Sequence, residues 1–121
     1  MNRLRVTFIQ SPLHWENVQA NLRSLEAHLL NLEGSTDLIL LPEMFTTGFT
    51  MNAARFAETP NGKTMHWMRQ MAERTGAMLI GSYIVSNNHL HYNRLNCVKP
   101  NGDAYFYDKR HLFRIGDEHE N

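Results

Sequence analysis

Three groups in this sequence have the chemistry to act on a substrate: the carboxylate of Glu43, the amine of Lys109 and the thiol of Cys97. Glu43 follows the run Asp37-Leu38-Ile39-Leu40-Leu41 and Pro42, and precedes Met44 and Phe45. Such a short apolar run reads as a strand buried on both faces. Pro42 ends it, because proline has no N–H to donate to a ladder. In open α/β sheets ligands gather beyond the carboxyl ends of parallel strands, so a carboxylate here is well placed to work. Flanked by Met44 and Phe45 it would be partly desolvated, which disfavours a charged carboxylate and suits it to general-base duty. An ordinary solvated loop glutamate, or one capping the next helix, would sit in the same place.

Lys109 falls at the end of the last strand expected, in Tyr107-Asp108-Lys109-Arg110-His111. A lysine beside an arginine is equally at home as a wet surface pair. Cys97 lies inside a strand rather than on a sharp strand-to-helix turn where a nucleophile is presented. If the hairpin loop is Pro100-Asn101-Gly102, Cys97 faces Tyr105 and Lys109 lies roughly 13 Å further along the strand. If the loop is only Asn101-Gly102, Cys97 faces Phe106, and Lys109 is about 10 Å further and on the opposite face. Neither register brings the amine to the thiol, and a buried structural cysteine fits better.

The seven histidines raise metal binding. His89 and His91 alternate and would share a strand face, and His111 and His119 lie near Asp117, Glu118 and Glu120. Two imidazoles so spaced can chelate zinc. That many histidines produce such pairs by chance, however, and no His-Glu-x-x-His pattern is present. Neither a metal nor a cofactor is expected.

The elements that would position these groups follow from periodicity. Residues 4–10 read as a strand. Over 15–32, Trp15, Val18, Leu22, Leu25, Leu29 and Leu32 recur every three or four residues, one face of a helix, with Gly34 stopping it. A strand over 37–41 follows. Residues 46–62 read as a loop with a short helical piece. A second helix spans 64–75, with Met68, Met71, Ala72 and Thr75 on one face as core filler and Gly76 closing it. Strands over 77–85, 90–99 and 103–107 come last, joined at Asn87-Asn88 and at Pro100-Asn101-Gly102, where proline pre-sets φ and glycine accepts φ > 0. The alternating first half predicts a parallel α/β core, with antiparallel hairpins on one side.

Composition bounds the function. With 121 residues the chain allows one small domain, and 42% hydrophobic against 20% charged residues is the balance of a chain with a core. Twelve Lys and Arg meet twelve Asp and Glu, which speaks against a strongly basic binder of nucleic acid or membrane surface. No apolar run approaches the roughly 18 residues of a membrane span, and MNRLRVTFIQ lacks the apolar core and cleavage site of a signal peptide. One cysteine permits no internal disulfide and no Cys-based zinc site. A soluble cytoplasmic protein is expected.

Three segments carry a resemblance: LPEMFTTGF at 41–49, YNRLNCVKPNG at 92–102 and YDKRHLF at 107–113. Together, and in this order, they resemble the nitrilase, or carbon–nitrogen hydrolase, superfamily. HWENVQANL after the first strand, TTGF after the glutamate and KRHLFR followed by DEHE resemble its bacterial ω-amidase branch. The resemblance implies a four-layer α-β-β-α sandwich, of which this chain would supply a mixed sheet with two helices on one face. It also implies a Glu–Lys–Cys triad. Glu43 matches the general base and Lys109 the amine that stabilises the tetrahedral intermediate. Glu118, with Glu120 close by, matches a second glutamate near the substrate. The implied reaction is hydrolysis of a carboxamide of a small acid, such as 2-oxoglutaramate, through a thioester. Arg94, Arg110 or Arg114 would be available to hold the acid's carboxylates.

In that family the nucleophilic cysteine sits on an elbow well after the lysine, whereas Cys97 precedes it. Residues 1–121 are therefore expected to be the N-terminal part of a carbon–nitrogen hydrolase domain, inactive alone by that mechanism. Such a part would have unpaired sheet edges and an uncovered apolar face, to be completed by the C-terminal half or within a homo-oligomer. The alternative is a catalytically dead remnant serving as a binding or regulatory subunit.

Overall fold

The computed structural model describes residues 3–112, the side chains of 110–112 excepted. The elements are β1 (Val6–Phe8), α1 (Val18–Leu30), β2 (Leu38–Leu40), α2 (Ala53–Phe56), α3 (Lys63–Thr75), β3 (Met78–Asn87), β4 (Leu90–Val98) and β5 (Ala104–Leu112). The five strands form one sheet in chain order. β1, β2 and β3 are parallel, and β4 and β5 continue the sheet antiparallel. Two parallel crossovers stepping the same way across a sheet place their helices on one face when both take the usual right-handed turn. Accordingly Leu22, Leu25 and Leu29 of α1 and Met65, Met68 and Met71 of α3 share one core with Ile39, Leu79 and Val98 of the sheet. The expected mixed α/β sheet with two helices on one face is the observed one, with α2 as the short helical piece in the loop.

Helix α1 is shorter than the apolar spacing predicts. Asn17 caps it, its side chain accepting the Ala20 N–H at 3.1 Å. Trp15 lies outside the helix, 62% exposed, with its ring beside Gly48. Gly34 is not the stop either: Asn31 is the C-cap, and Gly34 sits three residues on, at φ +75°. Gly76 does close α3, in the left-handed conformation at φ +72°. The β3–β4 turn falls one residue later than expected. Asn87 pairs with Leu90, so Asn88 and His89 make the turn, at φ 54° and 67°. His89 is therefore in a turn and shares no strand face with His91.

Strand alternation divides the sheet into two unlike faces. Thr7, Ile39, Leu79 and Val98 are aligned across it toward the helices, and the last three are fully buried. Phe8, Leu40, Ile80 and Cys97 align on the other face. There Phe8 is 66% exposed, and Leu40 and Ile80 are half-buried. The sequence predicts a strand at 37–41 buried on both faces; among the described residues only one face of the sheet carries helices, so Leu38 and Leu40 are half-buried. Tyr105 and Tyr107 extend this open apolar face onto β5, 57% and 68% exposed.

Candidate active site

Pro42 and Glu43 leave the carboxyl end of β2 directly beside β3. The Leu41 N–H donates to the Ile80 carbonyl at 2.8 Å, and the Phe45 N–H to the Ser82 carbonyl at 3.1 Å. Between them the Met44 N–H donates to the Ser82 hydroxyl at 2.9 Å. Met44 adopts φ 49°, a left-handed conformation that a bulky side chain takes only when its surroundings hold it there. Ser82 supplies that hold. From behind, buried Asn21 of α1 donates to the Thr46 carbonyl at 2.8 Å, and the Glu16 N–H donates to the Thr47 carbonyl at 2.8 Å.

Phe45 anchors the turn. It is fully buried, its ring 5.8 Å from both Trp67 and Tyr83. It lies so close to β3 that a Cβ on Gly81 would come within 2.8 Å of the ring. Met44 and Phe45 thus turn into the protein and do not wall in the carboxylate. The Glu43 side chain is 36% exposed, more open than its apolar neighbours suggested.

Lys109 is delivered to the same place by an irregularity in β5. Cys97 faces Tyr105, the register set by the Pro100-Asn101-Gly102 loop, and the ladder runs regularly to Arg94 opposite Asp108. The next pair is Asn93 with Arg110. Lys109 is therefore an extra residue, a β-bulge, and bulges re-aim side chains. β5 does not end at Tyr107 as expected; it runs to Leu112, because its polar residues find partners across the sheet. The Lys109 ammonium donates to Glu43 Oε2 at 2.7 Å, joining residues 66 apart in the chain. Both line a cleft of about 340 Å³ with Gln10, Leu40, Ile80 and Leu95, on the open face.

Of the other sequence candidates, Cys97 stays on β4, half-buried, and burial pushes its thiol up. Arg94 is buried and committed to Asp108, with Nε 2.6 Å and Nη2 3.1 Å from the two carboxylate oxygens. It is thereby unavailable to a substrate carboxylate. Glu118, Glu120, Arg114, His119 and the side chains of Arg110 and His111 lie outside the described residues. Among the described residues no three His, Cys, Asp or Glu side chains gather as a metal site would require. No helix among them is long and apolar enough to cross a membrane. A larger groove of about 840 Å³ runs between α1 and α3. There Trp67 Nε1 donates to Glu26 at 3.3 Å and Lys63 to Gln19.

Sequence reasoning missed the supports. Ser82 gave no signal of its own. Arg94 and Asp108 did, because the register that sets Cys97 opposite Tyr105 also sets these opposite charges face to face.

Comparison with known proteins assigns the class. The family model for carbon-nitrogen hydrolases matches residues 5–121, and the chain belongs to that family. It is 44% identical over 119 residues to the omega-amidase YafV of Yersinia enterocolitica, covering 98% of this chain and 46% of that protein. It is 26% identical over 117 residues to the 2-oxoglutaramate amidase of Bacillus subtilis, covering 94% and 45%. Among solved structures it is similar to XC1258 of Xanthomonas campestris, a CN-hydrolase superfamily protein, with a TM-score of 0.88 and 40% identity over 100% of this chain and 46% of that one. The fold is also that of Saccharomyces cerevisiae Nit3, of the nitrilase superfamily, with a TM-score of 0.80 at 19% identity over 94% and 46%. The chain spans about half the length of the curated relatives it matches, 46% of the Yersinia protein.

Proposed function

We propose that this chain is the N-terminal part of an ω-amidase-like hydrolase that cleaves the carboxamide of a small acid such as 2-oxoglutaramate. The observation that carries this reading is the Glu43–Lys109 contact at the mouth of a cleft on the sheet face left bare by the helices. The names of the relatives support the substrate class.

In the proposed mechanism a thiolate from a segment beyond residue 121 attacks the amide carbon. Glu43 takes the thiol proton and returns it to the leaving nitrogen, so that ammonia departs and a thioester remains. Glu43 then takes a proton from water, whose oxygen attacks the thioester carbon; the C–S bond breaks, the acid is released and the proton passes from Glu43 to the leaving sulfur, restoring both groups. Negative charge develops on the carbonyl oxygen in both steps, and the Lys109 ammonium is within reach of it. Cys97 has no part in this, standing four residues back along the hairpin from Lys109. Glu118 is proposed as the second glutamate near the substrate. Residues 1–121 alone would then turn over no amide.

Covering the open face would bury Phe8, Tyr105 and Tyr107 and take water from around Glu43 and Lys109, where electrostatic contacts then count for more. Ammonia release from 2-oxoglutaramate by the product of the complete reading frame tests the reading. Saturable release is expected; its absence, with other small carboxamides also intact, would overturn it.

A further inference from the structure

We propose that Arg94 and Asp108 are positioning residues for Lys109: clasped on the face of the hairpin opposite the cleft, they set the point where β5 takes its extra residue and so direct the amine to Glu43 across the other face. This rests on the reading of Lys109 as the amine that meets the developing oxyanion.

Arg94 and Asp108 are the last regular pair before the bulge, and Lys109 is the residue that follows. Both carboxylate oxygens of Asp108 are taken by one guanidinium, a planar, two-point grip that fixes orientation as well as distance. The guanidinium is itself held: it lies 3.9 Å from the Phe106 ring centroid and 5.9 Å from that of Tyr92, and its side chain is only 4% exposed. Asp108 and Lys109 are adjacent and project to opposite faces, so immobilising the first fixes the peptide from which the second departs. With Asp108 28% exposed the pair is half-buried, and a pair of this kind is a poor way to gain stability, since desolvating the guanidinium offsets much of its attraction. Its place beside the bulge gives it a reason to be there. Without the clasp the extra residue can shift along β5, and a displacement of about 1 Å at a reacting group costs as much as a hundredfold in rate.

The test uses the product of the complete reading frame and ammonia release from 2-oxoglutaramate. Asp108→Ala is made alone and on a Lys109→Ala background, with melting temperatures recorded for each. The expected result is kcat lowered about 10- to 100-fold with KM within about twofold, and no further loss when the change is added to Lys109→Ala. Asp108→Glu, which can still reach both guanidinium nitrogens, should recover part of the rate. If Asp108→Ala does not fold, Asp108→Asn replaces it with the same expectation, because it keeps one acceptor for the guanidinium. An equal loss in both backgrounds makes the pair a general brace and overturns the proposal, as does an unchanged kcat. Lys109→Ala turning over at the wild-type rate would instead sink the amidase reading of Lys109 itself.

Discussion

The Lys109 ammonium stands 2.7 Å from the Glu43 carboxylate, on a strand separated from β2 by two others. Two features of the sheet produce this contact. The parallel half brings Glu43 out at its carboxyl end, and the antiparallel half folds back until a bulge presents Lys109 to it. Between them lie Ile80 and Leu95, the floor of the cleft.

Ser82 is predicted to be the main support of the Glu43 turn. Ser82→Ala leaves the buried Met44 N–H without its 2.9 Å acceptor, which costs about 1–3 kcal/mol. Thermal or urea unfolding of the complete protein should show a loss of that size. Stability equal to wild type would mean that Met44 holds its left-handed backbone without help.

Gly81 is predicted to tolerate no side chain. Gly81→Ala sets a methyl 2.8 Å from the Phe45 ring and 3.1 Å from Leu41 Cβ. The ring is fixed between Trp67 and Tyr83, so relief must come from the backbone that carries Glu43. Overpacking of this kind costs about 1–3 kcal/mol. A lower melting temperature accompanied by a fall in ammonia release is expected; an unaltered melting curve would show that the turn has slack.

Cys97 is predicted to be dispensable. Its thiol is half-buried opposite Tyr105, and burial pushes its pKa up, away from the thiolate a nucleophile needs. Cys97→Ala should leave ammonia release within about twofold of wild type, a change of roughly 0.4 kcal/mol in barrier. Complete inactivation with the fold intact would make Cys97 a reacting group and require a different mechanism.

Much of this arrangement was legible in the sequence where local physics decides. The order of strands and helices, a hairpin turn through Gly102 at φ +97°, and Gly76 as the cap of α3 all follow from residue type and spacing; whether Pro100 belongs to that loop does not, and only the pairing of Cys97 with Tyr105 decides the register. The reading failed where long-range partners decide. Trp15 has the right spacing for α1, but Asn17 caps the helix first. Asp108, Lys109 and Arg110 read as the end of a strand, yet β5 continues through them because Arg94 and Glu43 satisfy two of their charges. The bulge has no local signature: one residue more on β5 than on β4 is a property of two strands together. Leu38 and Leu40 read as residues covered on both sides, and their half-buried state follows from a face on which none of the described helices lies.

The central claim is that Glu43 and Lys109 act as one unit in amide hydrolysis. Its most direct test is steady-state ammonia release from 2-oxoglutaramate by the complete protein carrying Glu43→Gln, Lys109→Ala or both. Each single change is predicted to lower kcat by about a hundredfold or more, and the double variant should fall far short of the product of the two losses. Turnover at the wild-type rate in either single variant, with the fold preserved, would contradict the claim.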